Sequence, residues 1–136
     1  DFDDGLRVLD VADPANPVSI GGLDTTGRAY NLMVRDGIAY VADGPSGLRI
    51  IDVSVPQSPV LLGTYGTPDQ AWDVSVVGTT AYVADLDSGV QIIDVSNPST
   101  PVLLGQFGTP GFAWAIQVVG TTAYVGDSQA GLQIVR

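Results

Sequence analysis

Residues 47–63 read GLRIIDVSVPQSPVLLG, and this stretch decides the fold. Two short apolar runs, LRIID and VLLG, flank a turn that holds Ser and two prolines. Runs of four to seven residues rich in Ile, Val and Leu read as strands, and the Pro-bearing connection between them reads as a turn at a sheet edge, because proline cannot donate to a ladder. Moving outward by 42 residues in either direction finds the stretch again. Residues 89–105 read GVQIIDVSNPSTPVLLG and residues 5–21 read GLRVLDVADPANPVSIG, while residues 131–136, GLQIVR, begin a fourth copy.

The same spacing joins Tyr40, Tyr82 and Tyr124, and joins Tyr30, Trp72 and Trp114, with no insertion or deletion. One period, residues 71–112, holds four runs: AWDVSVV, AYVAD, GVQIIDV and PVLLGQF, divided by GTT, LDSG and SNPST. These are designated strands A to D. No window holds a helical period long enough to compete. A tandem unit of about 40 residues with four antiparallel strands is the pattern of a β-propeller blade. The expected fold is all-β, with about 3.2 repeats in an incomplete ring or open array. Residues 1–28 supply strands C and D of a partial blade, 29–70 and 71–112 are whole blades, and 113–136 supply A, B and C of another. Strand A goes innermost by analogy with other propellers.

Composition agrees. The 136 residues contain fifteen Asp and five Arg but no Glu, Lys, His or Cys, for a formal net charge of -10. Short Asp carboxylates belong in turns and hairpin ends, where they bond nearby backbone N–H groups, whereas Glu and Lys decorate helices. The acidic balance opposes nucleic acid and anionic membranes as partners. No apolar run approaches the ~20 residues of a membrane-spanning helix, so membrane insertion is not expected. An opening Asp in place of Met suits a mature or excised segment, which favours an extracellular or cell-surface setting. Without Cys or His, thiol and imidazole nucleophiles and the common zinc ligand sets are excluded.

The strands LRIID at 48–52 and VQIID at 90–94, with DVSxPxxPVLLG after them and AYVAD before, resemble the LVIVD repeat family over essentially the whole chain. The resemblance implies a bacterial or archaeal β-propeller, commonly in exported or surface proteins, with no established catalytic residues. One departure is Arg136, which stands where the motif has its Asp.

A residue needed in every blade builds the blade, so Asp10, Asp52 and Asp94 are expected to cap strand C as Asx turns, and Asp1, Asp43, Asp85 and Asp127 to serve structure at the end of strand B. Tyr30, Trp72 and Trp114 are expected to pack between blades. Local function should lie where the repeats differ, in the D-to-A and B-to-C connections. The acids Asp3, Asp4, Asp69 and Asp87 gather there; calcium is the metal such hard oxygen donors would take, although solvated turn charge is their default role. Asp69 with Asp73 is the carboxylate pair that glycoside chemistry would require, with only their presence in its favour. No catalytic residue and no cofactor is expected.

An array that stops short of a ring leaves an apolar blade face at each end, and such faces do not stay uncovered in water. The expected interface takes Gly5, Leu6, Val8 and Leu9 from the first C strand, Trp114 and Tyr124 from the last blade, and Leu132, Ile134 and Val135 from the last C strand. The expected partner is a second copy, giving a homo-oligomeric ring or head-to-tail filament, or else the remaining blades of a longer chain. The expected function is thus a noncatalytic structural or interaction module, with a binding propeller for carbohydrate, peptide or calcium on the acidic loop face as the alternative.

Overall fold

A computed structural model describes residues 5–136, and among them every regular element is a strand. β1 (Leu6–Asp10) and β2 (Val18–Leu23) form a two-stranded sheet. β3 (Asn31–Arg35), β4 (Ile38–Ala42), β5 (Leu48–Asp52) and β6 (Val60–Tyr65) form the second sheet, in chain order. β7 (Asp73–Val77), β8 (Thr80–Ala84), β9 (Val90–Asp94) and β10 (Val102–Phe107) repeat it, and β11 (Ala113–Val119), β12 (Thr122–Asp127) and β13 (Gly131–Val135) make a fourth sheet of three strands. Every pairing is antiparallel. These are the strands A to D expected from the repeat, and the first and last sheets are the CD and ABC fragments. No helix among the described residues is long and apolar enough to cross a membrane.

The local chemistry explains the order. Asp36 and Gly37, at φ 50° and 77°, close the β3–β4 hairpin in two residues, the tight connection whose twist matches that of the strands. The C and D strands meet with a register shift at one repeated place: Ile20, Leu62 and Leu104 are passed over in the pairings of β1 with β2, β5 with β6 and β9 with β10. This bulge increases the local twist, so each sheet presents a twisted face to the next.

Alternation along the strands then sorts residues between two faces. Tyr40, Leu48 and Ile50 look forward from the second sheet and pack with Val74, Val76, Ala81, Val83 and Ile93, which look back from the third. Leu6 looks forward from the first sheet onto Ala39, Val41 and Ile51. Val90 and Ala84 look forward onto Ile116, Val118 and Val125 of the fourth. The core is a series of three inter-sheet layers, and among the described residues none joins the last sheet back to the first. Strand A is innermost: the N–H of Val76 on β7 donates to Met33 Sδ on β3 (3.2 Å), and the N–H groups of Ile116 and Val118 on β11 donate to Asp73 Oδ2 (2.8 Å) and Ser75 Oγ (3.0 Å) on β7.

Candidate functional site

The repeated aspartates act as turn and loop fasteners. Asp10, Asp52 and Asp94 each accept, on Oδ1, the N–H two residues ahead, at 2.9, 2.8 and 2.8 Å. These are Asx turns. Hydrogen bonds from Ser54 to Asp52 and from Ser96 to Asp94 hold both carboxyls below the usual range. Asp43, Asp85 and Asp127 are buried, and each accepts on Oδ2 a backbone N–H from the D-to-A loop: Gly27 at 3.0 Å, Asp69 at 3.1 Å and Gly111 at 2.9 Å. They tie each loop to the end of strand B.

Around that shared bond the three sites differ. Asp43 also accepts from the Thr25 hydroxyl and from Arg49 Nε at 3.2 Å, and Arg49 reaches on to Thr26. Asp127 also accepts from the N–H groups of Gln129 and Ala130, both at 2.7 Å. At Asp85 the counterpart of Arg49 is Gln91, and the buried Asp85 Oδ1, Gln91 Oε1 and Thr67 Oγ1 have no hydrogen-bond partner. Burial pushes the Asp85 carboxyl up; the Asp69 N–H only partly offsets it, and the Asp69 charge adds to it. At Asp127 burial pushes the same way, but N–H donors from Ala130, Gly111 and Gln129 outweigh it and hold the carboxyl below the usual range. Neither Gln91 nor the orphaned oxygens could be singled out from sequence without knowing that this Asp is buried.

The structure does bring Asp69 and Asp87 together: Asp69 N–H donates to Asp85, and Asp69 Oδ2 accepts the Asp87 N–H at 3.1 Å. Among the described residues no group of three or more acidic side chains has the geometry of a metal site. Asp1, Asp3 and Asp4 lie outside the described residues. Asp73, the other half of the acid pair, has its two oxygens on the N–H groups of Val74 and Ile116, both at 2.8 Å. It fastens two inner strands. The aromatic series stacks from one sheet to the next. Tyr30 stacks on Trp72 at 3.9 Å, and Trp72 meets Trp114 edge-on at 4.8 Å, with Phe112 beside it.

The remaining candidate surface is the pair of end faces. On the last sheet Tyr124 (39% exposed), Leu132 (65%) and Ile134 (58%) lie in the open, as does part of Trp114. Their counterparts one and two periods earlier are the buried or half-buried Tyr40, Leu48, Ile50, Tyr82, Val90 and Ile92. On the leading side Leu32 and Val34 are exposed, whereas their counterparts Val74, Val76, Ile116 and Val118 are buried.

Several expected interface positions fall elsewhere. Gly5 and Leu6 are buried within the chain, Leu6 against the second sheet, so they are corrected to internal packing. Val8 shares that strand parity and is half-buried; Leu9, across the strand, is the exposed one. Val135 looks back into a cavity of about 230 Å³, lined also by Tyr82, Ile92, Phe107 and Val125. The sequence missed Leu32, Val34 and Gln117, whose exposure depends on which way each inner strand turns its faces. An open groove of about 630 Å³ crosses the inner strands past Asn31, Met33, Asp73, Ser75 and Gln117.

Comparison with known proteins places this architecture. Two solved structures share the fold: the computationally designed Ika8 protein, at 13% identity and a TM-score of 0.77, and the computationally designed Ika4 protein, at 14% and 0.73. The alignments cover 98% of this chain in both cases, but 40% of Ika8 and 80% of Ika4, so the chain spans less than half of the larger one. At that identity the likeness concerns the fold alone. No curated protein sequence matches. The LVIVD repeat pattern matches residues 1–25, 26–67, 68–109 and 110–135. With four consecutive matches from residue 1 to residue 135, the chain belongs to the LVIVD repeat family.

Proposed function

We propose that the chain is a noncatalytic, extracellular or cell-surface repeat module that joins further copies of itself head to tail through its two end faces, as a ring or as a filament. The observation that carries this reading is the repeat itself. Leu132 is 65% exposed, while Leu48 at the same position is fully buried by the next sheet. The trailing face therefore has the side chains that pack a following blade, and Leu32 and Val34 are the leading-face counterparts of residues that pack a preceding one. A head-to-tail contact of this kind is heterologous, so it closes into a ring or continues as a filament according to the angle between copies. The extracellular setting follows from what the family resemblance implies.

Sedimentation of the purified chain across a concentration series tests the reading. Assembly that grows with concentration is expected, and Ile134→Asp, which places a charge in the middle of the trailing face, should return the chain to monomer without altering its far-UV spectrum. A wild-type chain that stays monomeric throughout would overturn the reading and leave these faces to further repeats of a longer chain.

A further inference from the structure

We propose that the end of strand B in the third sheet is a calcium site, built from Asp85, Gln91 and Thr67 with Asp69 beside them. It is independent of the assembly proposed above, because these residues all belong to the third sheet and the loop that leads into it. Among the described residues, the buried side-chain oxygens without a hydrogen-bond partner are Asp85 Oδ1, Gln91 Oε1 and Thr67 Oγ1. The repeat brings them to one place. One period earlier Thr25 and Arg49 meet directly on Asp43, the hydroxyl and Nε both donating to its carboxylate. A loop N–H holds both aspartates alike, Gly27 on Asp43 at 3.0 Å and Asp69 on Asp85 at 3.1 Å, so Thr67 and Gln91 flank Asp85 as Thr25 and Arg49 flank Asp43.

The donors that satisfy the other two aspartates are replaced or engaged elsewhere at Asp85. Gln91 stands in the place of Arg49, and the sequence has no Arg between Arg49 and Arg136. The amide end of Gln91 is committed: Nε2 donates to the Ser88 carbonyl at 2.9 Å, as Gln133 Nε2 donates to the Ala130 carbonyl at 3.1 Å one period on. The same bond at both glutamines fixes the orientation and leaves Oε1 as the spare end. Asp127 is satisfied by the N–H groups of Gln129 and Ala130. Their counterparts in the third sheet, Asp87 and Ser88, donate instead to Asp69 Oδ2 and to the Asp85 carbonyl oxygen. A fully buried carboxylate is thus left among neutral oxygens.

A buried carboxylate with neither countercharge nor donor is costly, and a cation would supply there what Arg49 supplies to Asp43. The donors are all oxygen, which selects a hard cation over a transition metal. Asp69 brings a second carboxylate, close enough that its charge acts on Asp85. It is half-buried, so water can complete the six to eight oxygens that calcium takes. Asp87, expected from sequence as a ligand, contributes the N–H that orients Asp69, and the anchor is the buried Asp85.

Thermal melts of the dilute chain test the site. Saturating calcium should raise the melting temperature by several degrees over its value in EDTA, and magnesium, which dehydrates reluctantly and demands an octahedral shell, should raise it less. Gln91→Arg rebuilds the arrangement around Asp43, so it should melt above the wild type in EDTA and lose the calcium response. Asp85→Asn should lose the response as well, while in EDTA it melts no lower than the wild type. A wild type that melts alike in calcium and in EDTA would overturn the site. So would a calcium response kept by both variants, or one that magnesium matches, since either would mark general screening of the chain's negative charge.

Discussion

Asp43, Asp85 and Asp127 show how one position can change its stability contribution from blade to blade. Asp43 and Asp127 each receive three donated hydrogen bonds, and Asp85 receives one, from Asp69. An unsatisfied buried oxygen carries its full desolvation cost. Asp85→Asn keeps an oxygen for the Asp69 N–H and turns an NH₂ toward the orphaned Thr67 and Gln91 oxygens, so the variant should be more stable than wild type by about 1 kcal/mol at neutral pH. The sign with pH follows from the raised Asp85 carboxyl. A folded-state pKa above the unfolded one means that folding resists ionisation, so the penalty is full above the folded value and is gone below the unfolded value. The gain from Asp85→Asn should therefore shrink as pH falls through that window, as measured by denaturant melts at pH 4 and pH 7. Asp127→Asn should act in the other direction, since its lowered carboxyl adds stability that is present above the unfolded value and lost as pH falls through the folded one. A stabilised Asp127→Asn, or a destabilised Asp85→Asn, would refute this account of the two sites.

Strands and turns were the most legible scale, because each element is written several times in the sequence. The four runs per period, the antiparallel order and the Asx turns all follow from residues that recur at 42-residue spacing. The assignment of faces was harder to read. Leu6 and Val135 looked like surface because they lie at the chain's two partial blades, but strand parity turns them inward, toward the second sheet and back toward the third. Parity is a property of the stacked sheets, set by bulge and twist, and apolar residues on both sides of a C strand hide it. The turn glycines make a measurable contrast. Gly89 and Gly131 have nearly equal φ, 69° and 70°, but a Cβ on Gly89 would lie 2.2 Å from the Phe107 carbonyl oxygen, while one on Gly131 meets nothing. Gly89→Val should cost about 2–4 kcal/mol, from strained φ together with collision. Gly131→Val should cost about 1–2 kcal/mol, from φ alone. Thermal melts of the dilute chain read the difference, and equal losses would mean that the neighbouring D strand contributes nothing to the Gly89 turn.

For the whole molecule the question is what balances ten net negative charges per chain against two apolar faces. The exposed apolar residues of the two end faces, Leu32 and Val34 on one and Trp114, Tyr124, Leu132 and Ile134 on the other, carry no charge. Fully burying a Leu or Ile side chain is worth about 1.5–3 kcal/mol, so these faces supply a favourable term that depends little on salt. The opposing repulsion between copies is long-ranged and exposed, and the screening length falls from about 30 Å at 0.01 M salt to about 8 Å at 0.15 M. Assembly should therefore strengthen as salt rises over that range, in contrast to a contact held by ion pairs, which would weaken. Because only the folded chain presents the faces, association should also stabilise it by mass action, and the melting temperature should climb with protein concentration. The climb should be steeper in 0.15 M salt and should vanish in Ile134→Asp, whose added charge removes the apolar term and adds to the repulsion. A melting temperature independent of concentration in the wild type at both salts would mean that the faces do not meet, however well their residues match.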